Sequence, residues 1–182
     1  MPLPSRARCL DVMEELAVPD NIRRHSLLVA DVAVALAREL RARGEPLDLD
    51  LVEAAALLHD VGKARSLETG EDHGVLGADM VSEIGYPALA PIIREHTLLS
   101  ARRLGGRVDE SLLVNYCDKR VRHDEVVSLE RRLEDLADRY CRTPEQRRVL
   151  DVLMDLYTRL ERQIFAGLGF GPDDVAGLVG TR

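Results

Sequence analysis

Tryptophan is absent from this 182-residue chain, and aromatic residues of every kind make up only 3% of it. A core without large rings must be filled by Leu, Val and Ala, and at 46% hydrophobic content there is enough apolar residue to do so. That composition favours helices. Cysteine is sparse: Cys9, Cys117 and Cys141 are odd in number and far apart. They fit neither a disulfide framework nor a paired-thiolate zinc site, and read as small apolar residues. Long apolar runs are missing as well, so no segment is expected to span a membrane. The opening Met-Pro-Leu-Pro-Ser-Arg has no apolar signal core, and a cytoplasmic location is expected. Positive charge is outnumbered, with a net charge of −7. This argues against nucleic-acid polymers and anionic membranes as partners. A small anionic substrate remains compatible, because bound metal ions would supply local positive charge.

What is present reads as one all-α domain. Leu10, Met13 and Leu16 mark a first helix, stopped at Pro19-Asp20-Asn21. A second, with an inward stripe of His25, Leu28, Val29, Val32 and Leu36, runs to about Arg43 and ends at Gly44. A third starts near Asp48 and finishes at His59-Asp60. Residues 62–72 read as a charged, glycine-containing loop. Further helices open near His73 and at Pro87, the latter aligning His96 with Leu89, Ile92, Ile93 and Leu99. The next carries Asp118 in line with Val114 and Val121. Leu129, Leu133, Leu136 and Tyr140 mark another. Thr143-Pro144-Glu145-Gln146 then gives an N-cap, a Pro at N1 and a capping-box Gln before a long helix, and the last segment, 167–182, reads as a short helix or a frayed end. The organisation expected is a metal-binding core over 1–127 and a helical extension over 128–182 packed on it. The charged run 130–135 reads as a solvated helix face.

The chemistry lies in a spaced series: His25, His59-Asp60, His73, His96 and Asp118. Four of the five histidines fall in it. His59-Asp60 closes an apolar run, and polar groups buried there need partners. Helices can aim imidazoles and carboxylates into a shared interior, a common setting for metal sites. Nitrogen and carboxylate ligands without thiolate suit Fe, Mn, Co or Zn. One ion rarely needs six protein ligands, whereas two ions sharing a carboxylate form a known phosphoryl-transfer arrangement.

The order His…His-Asp…Asp resembles the HD-domain superfamily of metal-dependent phosphohydrolases, with His59-Asp60-Val61-Gly62-Lys63 similar to its central motif. His73 and His96 resemble the binuclear branch, and within it the small bacterial proteins that hydrolyse diadenosine tetraphosphate. The resemblance implies an HD-domain-like helical bundle with additional C-terminal helices. It also implies two divalent or mixed-valent ions, Fe or Mn first, with Zn, Co or Mg as alternatives. His25, His59, Asp60 and Asp118 would hold one ion. His73 and His96 would hold the other, with Asp60 bridging, and a metal-bound hydroxide would attack phosphorus. The substrate implied is a small phosphate-containing molecule, a nucleotide by this resemblance. A homodimer, a di-iron oxygenase using the same ligands and a non-catalytic signalling module stay open as alternatives.

Asp60 and Lys63 are the catalytic candidates, and Lys63 also a phosphate contact. It is one of only two lysines in an arginine-biased chain, and Lys acts as a compact point charge. Arg102 and Arg103 are the further substrate-binding candidates, with Arg107, Arg120 and Arg122 as other residues that could line a phosphate entrance. Gly85-Tyr86-Pro87 matches a tripeptide of cyclic-dinucleotide enzymes. Without their His-His pair it reads as a helix stop followed by a proline start.

Overall fold

The computed structural model describes residues 2–180 and is helical almost throughout. Helix α1 (Arg6–Glu15) begins at Ser5, whose hydroxyl accepts from the Arg8 amide. Helix α2 (Asp20–Ala42) is followed by Gly44 at φ 95°, a left-handed stop that glycine adopts without steric cost. Asp48 caps α3 (Leu49–Leu58) through the amides of Asp50 and Leu51. Val52, Ala54, Ala55, Ala56, Leu57 and Leu58 are all buried, so α3 is covered on nearly every side. Its alanines let α2, α1 and α7 approach closely. This central placement delivers His59-Asp60 into the interior, at the end of α3.

The middle of the chain forms α4 (Lys63–Thr69), α5 (His73–Glu83) and α6 (Ala90–Glu95). The loop expected over 62–72 is therefore mostly the helix α4. That helix buries no residue, so there was no apolar stripe to read in its sequence. It ends at Gly70, in the left-handed region at φ 77°. Gly62, just before α4, has no room for a side chain. A Cβ there would collide with the His73 carbonyl and the Gly77 amide. This close approach sets Asp60 and Lys63 against the start of α5. Helix α6 is shorter than the apolar pattern indicated, and His96 is its C-terminal cap.

Helix α7 (Glu110–Lys119) is capped by Asp109 and carries Asp118 on a wholly buried final stretch. A hairpin of β1 (Val121–Arg122) and β2 (Glu125–Val126) follows, too short to show alternation in sequence. Helix α8 (Leu129–Tyr140) packs on α7, as does α9 (Pro144–Phe165). The Thr143–Gln146 capping box is formed. Helix α10 (Val175–Leu178), after a 3-10 turn, lies against α2. The last segment, 167–182, was expected to form a short helix or fray, and α10 is that helix. Residues 181 and 182 lie outside the described part. The expected solvated face over 130–135 needs correction: Arg132 is buried, as is the apolar Leu133 beside it.

Candidate metal centre

All six residues of the series converge on one point between α2, α3, α5, α6 and α7. His25 Nε2 lies 3.0 Å from Asp118 Oδ1. His59 Nε2 is 3.7 Å from the same oxygen and 3.6 Å from Asp60 Oδ2. On the other side of Asp60, Oδ1 is 3.4 Å from His73 Nε2 and 3.5 Å from His96 Nε2. Asp60 thus stands between two sets of imidazoles. The ring centroids run His25–His59 at 5.4 Å, His59–His96 at 4.9 Å and His96–His73 at 5.0 Å.

The rings are oriented by the backbone. His59 Nδ1 is 2.7 Å from the Ala56 carbonyl and His96 Nδ1 is 2.5 Å from the Ile93 carbonyl. Both are helix-end carbonyls three residues back, a kind of acceptor that needs an external donor. His25 Nδ1 is 3.2 Å from the His123 carbonyl. A carbonyl can only accept, so each of these Nδ1 atoms carries a proton and each Nε2 is turned toward the carboxylates, where it would offer its lone pair to a bound metal ion. Such outer contacts fix metal-binding histidines. His123 does this from the hairpin turn, at φ 57°.

Electrostatics sharpen the arrangement. Burial opposes ionisation of Asp60, but His59, His96 and Lys63 outweigh it and hold the carboxyl well below its ordinary range. Asp118 is held low in the same way, chiefly by Lys119, then by His25 and His59. Burial disfavours a charged His59, yet Asp60 and Asp118 raise its proton affinity, so protons and cations compete for that nitrogen. Burial dominates at His96, which is lowered, and at His73, which is lowered to about 4.

Two buried atoms of the centre, His59 Nε2 and Asp60 Oδ1, have no hydrogen-bond partner among the described residues. Each would cost roughly 1–3 kcal/mol if left unsatisfied. Divalent cations satisfy both. Ligand atoms of His25, His59 and Asp118 lie within 4.8 Å of one another, as do those of His59, Asp60 and His96. The donor set therefore fits metal ions, held mainly by neutral nitrogen and carboxylate.

The groups expected to bind substrate are divided. Lys63 reaches Asp60 Oδ2 at 2.9 Å and stays partly exposed at the rim of a cavity of about 130 Å³, which His25 and Asp60 also line. Arg102 and Arg103 are not among that cavity's lining residues. They are exposed and line a separate depression, where Arg103 pairs with Asp109 at 2.6 Å. Arg107 pairs with Glu45 instead, and Arg120 is buried against Tyr116 and Glu161. The metal-side mouth is formed by residues not picked from the sequence: Asn21, Arg132, Arg139 and Tyr140. Lys119 was also passed over. It is buried, bonds Asp118 and lies 3.4 Å from the His96 carbonyl. A signal existed for Arg132, which lies three residues after Leu129 and four before Leu136, on the inward side of α8.

The family model of the HD domain matches residues 22–143, a stretch containing all six residues of the series. The chain belongs to the HD domain family. HD domains are usually metal-dependent hydrolases, and the matched stretch runs on through α8. Over 88 residues this HD domain chain is 33% identical to an uncharacterized protein of Methanocaldococcus jannaschii, covering 48% of this chain and 50% of that protein. It is 30% identical over 161 residues to tRNA (cytidine(56)-2'-O)-methyltransferase of Thermoplasma volcanium, covering 77% and 46%. With ribonuclease Y of Lawsonia intracellularis it shares 32% over 127 residues, covering 59% and 23%. The chain spans half or less of the length of these relatives. No solved structure matches it significantly.

Proposed function

We propose that this HD domain is a metal-dependent phosphohydrolase of small nucleotide-like phosphoesters or phosphoanhydrides, with diadenosine tetraphosphate the first substrate to test. The observation that carries this reading is the carboxylate of Asp60, set between imidazole Nε2 atoms on both sides, most of them backbone-oriented, and lining a cavity. His25, His59, Asp60 and Asp118 would hold one ion. His73, His96 and Asp60 would hold the second. Such ions supply Lewis acidity toward a phosphoryl group and activation of water. Asp60 keeps its negative charge despite burial, and His59 and His96 keep their lone pairs directed inward. Lys63 holds a cationic group at the rim, where a phosphate oxygen would arrive. Iron and manganese are the metals to test first, on the family resemblance, and the nitrogen and carboxylate ligands suit cobalt and zinc as well.

Similarity to ribonuclease Y favours RNA phosphodiesters as a second substrate class. The net charge of −7 and the small cavity favour the short substrate. The deciding experiment combines metal analysis of anaerobically purified protein with hydrolysis of diadenosine tetraphosphate, mononucleotides and a short RNA. About two ions per chain are expected in the wild type and about one in His73→Ala/His96→Ala. Asp60→Ala should lose both metal and turnover. Full activity in Asp60→Ala, or strict oxygen dependence without phosphate release, would overturn the reading.

A further inference from the structure

Building on the phosphohydrolase reading, we propose that α8 is the substrate-recognition wall of this site. Arg132 takes a phosphate beside the bond to be cleaved, and Tyr140 stacks on a nucleoside base. The ligand class is a nucleoside polyphosphate, distinguished from inorganic polyphosphate by its base.

Arg132 is buried, yet its Nε has no hydrogen-bond partner among the described residues. Its Nη1 is held by Asp135 at 3.2 Å, and its Nη2 lies 4.0 Å from Asp118 Oδ1. Asp118 already bonds Lys119 through its other oxygen, so a second cation is not needed to neutralise it. A guanidinium with free donors beside a metal-type cluster suits the planar oxygens of a phosphate. Asp135 also accepts from Arg139 Nη2 at 2.9 Å, and that nitrogen is 3.0 Å from His123 Nε2. One carboxylate therefore holds two arginines, and both line the mouth of the cavity.

Volume separates the parts of the ligand. Pockets that enclose a whole small molecule hold roughly 300–1,000 Å³. The cavity here, about 130 Å³, has room for a phosphoryl group but not for a nucleoside as well. The rest of the substrate must lie across the mouth, where Tyr140 stands. Tyr140 is 63% exposed, in a chain whose other aromatics are buried or partly buried. An exposed ring is a poor use of a scarce apolar residue unless something covers it. Bases stack on such rings regardless of their identity.

The test uses the full chain loaded with manganese(II), with ATP and inorganic tripolyphosphate as probes. The wild-type preference for ATP, taken as the ratio of the two kcat/KM values, should fall about tenfold in Tyr140→Ala, the scale of one lost base stack. Tyr140→Phe should restore it. Arg132→Lys should retain metal and raise KM for both probes, because the fork is replaced by a point charge. An unchanged preference in Tyr140→Ala, or wild-type kinetics in Arg132→Lys, would overturn the proposal. If the wild type hydrolyses no phosphate compound, the phosphohydrolase reading fails, and anisotropy of etheno-ATP decides the recognition wall separately. A tenfold weaker complex in Tyr140→Ala would support the wall. Equal affinity, or no binding by the wild type, would overturn it.

Discussion

The imidazoles of His59 and His96 share one device: each donates Nδ1–H to the carbonyl three residues earlier, at the end of its own helix. His73 makes no such contact among the described residues and is the most exposed of the four, with 28% of its side chain accessible. Burial lowers it to about 4, with Asp60 opposing and His96 and Lys63 adding to the effect. A histidine whose folded pKa is depressed binds its proton less well folded than unfolded. It therefore costs stability as pH falls from about 6.5 toward 4, and nothing above that window. In chelator, the stability lost between pH 7 and 4.5 should be about 2 kcal/mol smaller in His73→Gln than in the wild type. Urea unfolding at the two pH values measures this, and an equal loss in both proteins would refute it. The six spaced residues were legible because each is a side chain of metal-ligand type on, or at the end of, an apolar helical run. Lys119 was not, because its cationic side chain follows Asp118 directly and gives no ligand signal of its own, and Arg132, though in register with Leu129 and Leu136, was read as part of a charged surface.

At the scale of elements, the contact between Gly62 and α5 governs the centre. No side chain fits between Gly62 and the backbones of His73 and Gly77. Gly62→Ala must push α5 away and should destabilise the fold by about 1–3 kcal/mol, the usual cost of overpacking. His73 should be the first ligand displaced, so the variant should also lose metal before it loses helix. Thermal melting and metal analysis of the same sample check both expectations. The long helices could be read from their stripes and caps, down to the Thr143–Gln146 capping box. Helix α4 could not, because a helix that buries no residue leaves only propensity as a signal, and propensity is weak. The two-residue strands of the hairpin were equally silent.

For the molecule as a whole, the boundary expected at residue 127 divides regions that share a core. Leu156, Tyr157, Leu160 and Ile164 of α9 are buried, and α9 packs on α7. Tyr157 donates its hydroxyl to Asn115 Oδ1 at 2.7 Å, and Asn115 in turn donates to the Glu95 carbonyl, next to His96. Tyr116 donates to Glu161 at 2.6 Å. Cutting the chain after Val127 would strand these groups and uncover the helix that carries Asp118. Each large buried side chain lost is worth about 1.5–3 kcal/mol, so several together exceed a typical reserve of about 5–15 kcal/mol or come close to it. The 1–127 fragment should show no cooperative unfolding transition, and a sharp calorimetric peak from it would contradict this.

The hydrogen bond that orients His25 is donated to the main-chain carbonyl of His123, a residue at φ 57°. Its strength depends on the peptide's direction, and the imidazole at that position does not enter it. Glycine or asparagine, which enter left-handed backbone readily, could occupy the turn and leave His25 in place. Valine or isoleucine would twist the carbonyl aside and free the ring to flip, although neither touches the metal ligands. Mutational tolerance at position 123 should therefore rank by torsional preference, and a scale of side-chain similarity to histidine would misorder it.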